Sequence, residues 1–238
     1  MADERLRPFK SSLGRTEANP YVEKLSEFAP YAMTSDQGEA ARGQWREQMG
    51  LPADAPLLLE VGPGNGFFFR EVLDRFGDAG IVGIEVRFKR VWLTARKSVE
   101  EGHTRFRVLH HHASHLDDLF APGELDGVYI NHPDPWPKQK HHKHRLLQPA
   151  FRDLLQRALK PLSEVWIKSD FADFGPIACD LFDTPGWERL TFTADLHAAP
   201  TEPLPGTRFW AADVETNYEK KSRRAGAVIL LAGFVWRP

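Results

Sequence analysis

The sequence predicts an α/β protein built on a doubly wound, mostly parallel sheet of seven strands, and three observations carry that prediction. Short apolar runs such as 57–61 and 81–85 alternate with amphipathic stretches through the middle of the chain. The first run ends in the glycine turn Gly62-Pro63-Gly64-Asn65-Gly66, which a helix follows. The fourth ends in Asn131-His132-Pro133-Asp134-Pro135-Trp136-Pro137-Lys138, where alternating prolines, each lacking a backbone donor, forbid both helix and central strand. A stiff, chemically rich loop at the carboxyl end of a strand is where an α/β protein places its site.

The elements follow in order. Residues 1–33 are polar and mixed, with Pro8, Pro20 and Pro30, and are expected to form an irregular arm with one helical turn near 21–28. Its basic residues Arg5, Arg7, Lys10 and Arg15 are read as a solvated tail rather than a polyanion contact. Thr34 or Ser35 can cap a helix running to Met49, stopped by Gly50 and Pro52. Residues 1–50 are thus an arm and helix, and 51–238 the α/β domain. Within it the pattern predicts strands over 57–61, 81–85, 106–110, 125–130 and 164–168, with a final strand pair over 187–194 and 227–235 around a Pro/Gly-rich insertion at 199–206. Helices are expected over 67–76, 87–101, 115–120, 146–159 and 171–182.

At 238 residues with 42% hydrophobic content the chain can bury a sizeable core in one domain. No apolar run approaches the roughly 18 residues of a membrane span, and the Met-Ala-Asp-Glu-Arg start lacks a signal-peptide core. Cys179 is the single cysteine, which excludes an internal disulfide or a cysteine zinc site and suits the cytoplasm. The net charge of −2 hides three cationic clusters: Arg87, Lys89, Arg90, Arg96 and Lys97; Lys138, Lys140, Lys143 and Arg145; and Lys220, Lys221, Arg223 and Arg224. Charge runs are usually solvated faces, unless the fold gathers them on one rim. All ten histidines but His197 lie between His103 and His144, and His110 and His112 would share a strand face. No spacing closes a ligand set, so no metal is expected.

The glycine turn alone is a weak signal. It gains weight from Glu85, at the end of the next strand, where an acidic residue can accept both hydroxyls of a ribose. Glu-Val-Gly-x-Gly-x-Gly followed by Ile84-Glu85 resembles the cofactor site of class I S-adenosylmethionine-dependent methyltransferases. The plain alternatives are an ion pair for Glu60 and a solvated strand end for Glu85. The loop narrows the resemblance. Pro133-Asp134-Pro135-Trp136-Pro137-Lys138 followed by Lys140, His141, Lys143 and Arg145 resembles the bacterial tRNA (guanine-N7-)-methyltransferases. Gly83-Ile84-Glu85, Lys160-Pro161, Ser169-Asp170 and Thr216-x-Tyr218-Glu219 extend the likeness over roughly 56–236.

The resemblance implies a Rossmann-like sheet, S-adenosylmethionine as methyl donor and a guanine of the tRNA variable loop as acceptor. It implies cofactor contacts at Glu60, Gly62, Gly64, Glu85, His112 and Ala113, with Glu60 near the methionine ammonium. Asp134 would place the guanine, while Lys138, Asp170, Thr216 and Glu219 would shape the substrate pocket. Lys140, Lys143 and Arg145 would meet tRNA phosphates, a role that their charge supports independently. The plain alternative for Asp134 is a turn residue capping its own backbone; Trp136 is read as a core aromatic. A monomer or homodimer without an obligatory protein partner is expected.

The chain also departs from the family pattern. His112 stands where the family has an aspartate that accepts from the adenine amino group; because protonated histidine cannot accept, cofactor affinity is expected to fall at acid pH. Asn131-His132 replaces a pair of apolar aromatics, Asn217 a lysine and His144 an arginine. Asn131-x-Pro133 resembles the Asn-Pro-Pro-aromatic loop of amino-group methyltransferases, an alternative activity. A non-catalytic RNA-binding homologue is the other alternative, against which Asp134, Asp170 and Glu219 speak.

Overall fold

The computed structural model describes residues 19–198 and 202–238. The basic residues of the arm, Arg5 to Arg15, and the start of the 199–206 insertion lie outside them. An eight-stranded sheet runs in the order β1 (Ala32–Met33), β4 (Phe106–His110), β3 (Gly80–Glu85), β2 (Leu57–Val61), β5 (Leu125–Asn131), β6 (Leu159–Ser169), β8 (Leu230–Trp236), β7 (Trp187–Thr193). Pairs from β1 to β6 are parallel, while β8 is antiparallel to both β6 and β7. The strand beyond the expected seven is β1, inside the arm: Ala32 pairs with Val108, and Val108 N donates to Tyr31 O at 2.9 Å. Two residues carry too little pattern to be seen as a strand without their neighbour.

The period of two sorts the core to both faces of the sheet. In β2, Leu57 and Leu59 join one apolar cluster with Phe151 and Leu155, and Leu58 joins the other with Phe69 and Val91. All three leucines are fully buried, each stabilising the fold by about 2 kcal/mol. The helices covering the sheet include α4 (Phe67–Arg75), α5 (Phe88–Glu100), α7 (Pro149–Ala158) and α8 (Phe174–Phe182), which follow α1 (Pro20–Lys24), α2 (Ser35–Ala40), α3 (Trp45–Gln48) and, before α7, α6 (Leu116–Leu119). The helix expected from Thr34 to Met49 is two pieces. Thr34 does form a capping box with Gln37, but Gly43 takes φ +77° and donates its N–H to Glu124. Trp45 then turns inward and donates its indole N–H to Leu119 O at 2.8 Å. Helix α7 starts at Pro149 rather than 146, because proline fits the first helical position.

One helix, α9 (Asn217–Arg224), is absent from the sequence expectation. Its polar faces carry no apolar stripe, but Thr216-x-x-Glu219 is a capping box that marks its start.

Candidate active site

The ends of β2 and β5 and the start of α9 converge on one cavity of about 300 Å³, lined by residues including Glu60, Gly62, Gly64, Asn131, His132, Asp134 and Thr216. β2 and β5 are neighbours, with Glu60 paired to Tyr129 and Val61 to Ile130, so the glycine turn and the proline-rich loop leave the sheet side by side. This is the carboxyl edge where such sheets bind ligands. Gly62 takes φ +76°, and a Cβ built there meets nothing within 4 Å. Gly66 precedes α4 at φ +75°, and its Cβ would press on Thr94 at 3.0 Å. Glycine at 62 therefore leaves backbone bare toward the cavity, whereas at 66 it lets α4 sit against α5.

Glu60 is 1% exposed. Asn131 Nδ2 donates to its Oε1 at 3.1 Å, while Oε2 is buried without a partner. Burial drives its pKa up to about 8, against the smaller pull of Asn131 and Lys168. A buried carboxylate oxygen facing a cavity without a donor fits a bound ammonium, which supplies both charge and N–H. Glu85 is also buried and raised by desolvation, which Arg90 partly offsets; it accepts from Arg87 N at 3.1 Å and stands 3.9 Å from Arg90 Nη1. It sits beside the cavity, joined to it by the Arg90 guanidinium, which does line the wall.

His112 and Ala113 begin the turn after β4 and do not line the cavity. His112 Nδ1 accepts from Ser114 N at 3.1 Å, with Ser114 Oγ at 2.6 Å. Its lone pair is thus engaged locally, and the remaining ring nitrogen carries a proton, a donor where an acceptor was expected. Burial, reinforced by His115 and His111, lowers its pKa to about 4. Protonation would therefore take no acceptor away from the cofactor side, and the expected fall in cofactor affinity at acid pH loses its physical basis.

Asp134 is exposed at the cavity wall. Thr216 lines the same wall and caps α9: its Oγ1 accepts from Glu219 N at 2.9 Å. Glu219 is fully buried and outside the cavity. Its Oε2 accepts from Lys168 Nζ at 2.7 Å and its Oε1 meets His197 Nε2 at 2.9 Å. Burial alone would raise its carboxyl, but His132, Lys168 and His197 outweigh it and bring the pKa down to about 2. The substrate contact expected of Glu219 is therefore corrected: it is an internal ion-pair residue. Asp170 lies behind the cavity, accepting from Ser222 Oγ at 2.8 Å.

Lys138, Lys140 and Lys143 are exposed on the loop and the 3-10 turn Gln139–His144. Arg145 is not. It is 8% exposed, donates from Nε to Pro135 O at 2.8 Å, and lies over the Phe171 and Phe174 rings. The expected phosphate contact at Arg145 is corrected to a brace for the proline loop, since its donors point back into the protein. Trp136 is not a core aromatic: at φ +41° it turns its ring against His141 and His144, with centroids 5.7 and 5.4 Å away.

The histidines fall into separate groups, His111, His112 and His115 after β4 and His141 and His144 beside Trp136. His110 stacks on Phe88 at 3.7 Å, and His111 meets Glu39 at 3.2 Å. They share no face with His112, because β4 stops at His110. His197, Glu215 and Glu219 bring ligand-type atoms within 4.8 Å of one another, but Lys168 and Arg223 already neutralise those carboxylates. Sequence reasoning passed over Lys168, a lysine 2% exposed in mid-sheet; its place directly after the apolar run 165–167 was the available signal. It also passed over Tyr218, whose exposed ring stands at the cavity wall.

Among solved structures, the 16S rRNA methyltransferase KamB superposes with a TM-score of 0.56 at 13% identity, covering 82% of this chain and 92% of that one. TrmN from Thermus thermophilus does so with a TM-score of 0.53 at 16% identity, covering 90% and 52%. At such identities these likenesses establish the fold, that of class I S-adenosylmethionine-dependent methyltransferases. A family model described as "Putative methyltransferase" matches residues 54–232. The tRNA (guanine-N(7)-)-methyltransferase of Bdellovibrio bacteriovorus is 32% identical over 205 residues, covering 85% of this chain and 94% of its own. That of Streptococcus pneumoniae strain 70585 is 30% identical over 225 residues, covering 94% and 96%. With the glycine turn, Glu60 and the proline-rich loop on one cavity, the chain belongs to the tRNA (guanine-N7-)-methyltransferase family.

Proposed function

We infer that this protein transfers the methyl group of S-adenosylmethionine to N7 of a guanine in tRNA. The observation that carries the reading is one cavity bounded by the unpartnered Glu60 Oε2, the open backbone at Gly62 and the exposed carboxylate of Asp134. Bound against Glu60, Gly62 and Gly64, with Glu85 toward its ribose, the cofactor supplies an electrophilic sulfonium methyl. Guanine N7 holds an in-plane lone pair, so it needs alignment rather than prior loss of a proton. The ring becomes cationic as N7 is alkylated, and the Asp134 carboxylate stabilises that charge more than the neutral base. The Tyr218 ring at the wall is suited to stack on the target base. Lys138, Lys140 and Lys143, with Lys221 beside the cavity, would contact tRNA phosphates. Residues 51–238 would form the catalytic unit, with 19–50 completing its sheet and covering its apolar face. Among the described residues no helix is long and apolar enough to cross a membrane, and the cytoplasm is the proposed location.

Amino-group transfer is less well supported, because Asn131, the residue that suggested it, turns its amide N–H to Glu60. The test is transfer of labelled methyl to unmodified tRNA, followed by mapping of the modified nucleotide. Label at guanine N7 is expected, and Asp134→Ala should reduce turnover by about a hundredfold with cofactor binding retained. Label on an adenine or cytosine amino group, or full activity in the variant, would overturn the assignment.

A further inference from the structure

Away from the cavity, a cluster of polar side chains forms where α2 meets the turn between β4 and α6. Glu39 of α2, His111 after β4 and Asp118 of α6 each bring one ligand-type atom within 4.8 Å of the others, and none of them lines the cavity. His111 is 6% exposed, and its backbone N–H donates to Glu85 O at 3.1 Å. Its Nδ1 lies 3.1 Å from His112 O, and its Nε2 3.2 Å from Glu39 Oε1. The neighbouring cations are engaged elsewhere: Arg42 Nε donates to Asp117 O at 2.9 Å, and Arg157 pairs with the Asp117 carboxylate at 3.9 Å. Among the described residues, histidines alone pair with the Glu39 and Asp118 carboxylates.

A carbonyl oxygen only accepts, so His111 Nδ1 carries a proton and donates it to His112 O. In a neutral ring the Nε2 lone pair then faces the Glu39 carboxylate, and a cation belongs between them. A proton there would serve Glu39 and leave Asp118 outside the pair. A divalent ion serves all three ligands and balances two carboxylates. The tautomer is the one that metal-bound histidines adopt, with the far nitrogen tied to a backbone carbonyl. The spacing agrees, since two ligand atoms about 2.0 Å from a tetrahedral zinc stand about 3.3 Å apart. We propose that Glu39, His111 and Asp118 form a structural zinc site that fastens α2 to the turn after β4. His115, with Nδ1 3.6 Å from Asp118 Oδ2, stands nearest the fourth position. Imidazole with carboxylate, and no thiolate, is a set that zinc accepts and that magnesium or calcium would not select.

Zinc titrated into the full chain, prepared without a histidine tag and stripped by chelator, should bind one-to-one by calorimetry. At a hundredfold excess over Kd it should raise Tm by about 5 °C. Glu39→Gln and Asp118→Asn, both at exposed positions, should each weaken binding at least about tenfold, a loss that even supporting residues of metal sites produce. His141→Ala, in the separate histidine group beside Trp136, should leave it unchanged. In nitrogen-15 NMR, zinc should shift Nε2 of His111 while Nδ1 keeps its proton. Absence of binding, an affinity unchanged in both carboxylate variants, or a loss of binding in His141→Ala overturns the proposal. So does a His111 ring that keeps both protons at saturating zinc, the mark of a plain ion pair with Glu39. None of these readouts uses methyl transfer, so they decide the site whichever base is the acceptor.

Discussion

At the amino end of the parallel strands, Asp126 is saturated. Its carboxylate accepts from Leu57 N at 2.9 Å, Arg46 Nη2 at 2.7 Å and Lys160 Nζ at 3.0 Å. At the carboxyl end, Glu60 is more deeply buried yet holds a single side-chain bond, with one oxygen orphaned, while His132 beside it has two orphaned nitrogens. The same sheet thus carries a closed polar cluster at one end and an open one at the other. A saturated cluster fixes structure, whereas an unsatisfied one stores a binding preference that a ligand completes.

Removing each carboxylate should separate the two ends. Asp126→Ala leaves Arg46 and Lys160 without their shared anion and strands the Leu57 N–H, so unfolding free energy in urea should fall by about 3 kcal/mol, while the remaining folded protein binds cofactor normally. Glu60→Gln should do the reverse. The folded-state pKa of Glu60 is raised from 4.5 to about 8, so its contribution to stability is present below 4.5 and lost as pH rises toward 8. Taking that ionisation away should leave stability at pH 7 undiminished or raised, but weaken cofactor binding at least about tenfold, the loss expected when a buried charge pair is broken. Equal destabilisation by the two variants would erase the contrast.

A smaller effect separates the lysines from the arginine of the same loop. Removing Lys138, Lys140 or Lys143 should lower the slope of log affinity for tRNA against log salt by about 0.8 each. Arg145→Ala should leave that slope unchanged while loosening the loop. A slope change at Arg145 equal to that at the lysines would return it to the phosphate-contacting group.

Much of this contrast was legible beforehand, for identifiable reasons. Apolar runs and turn residues located five of the seven expected strands within one residue, because buried strands and their glycine or proline exits are local signals; β8 begins three residues later than expected, at Leu230, and β6 begins earlier, at Leu159, because Lys160-Pro161 continues the strand rather than ending a helix. Asp134, Glu60 and Gly62 were visible because their neighbours in sequence carry the pattern. What stayed hidden was partnership across the fold. Nothing adjacent to Arg145 shows that its donors fold back on Pro135 and Trp136. Nothing near Glu219 shows Lys168 or His197 coming to meet it. Charge alone marks a residue as available; only tertiary contacts show that it is already engaged.

The most direct test of the open end is proton release on cofactor binding, measured by titration calorimetry at pH 7 in buffers of different ionisation enthalpy. Free Glu60, with its pKa near 8, is mostly protonated at that pH and should give up its proton when the methionine ammonium docks beside it. The wild type should release close to one proton per S-adenosylmethionine bound, and Glu60→Gln close to none. Equal proton release from the two proteins, or none from the wild type, would contradict the account.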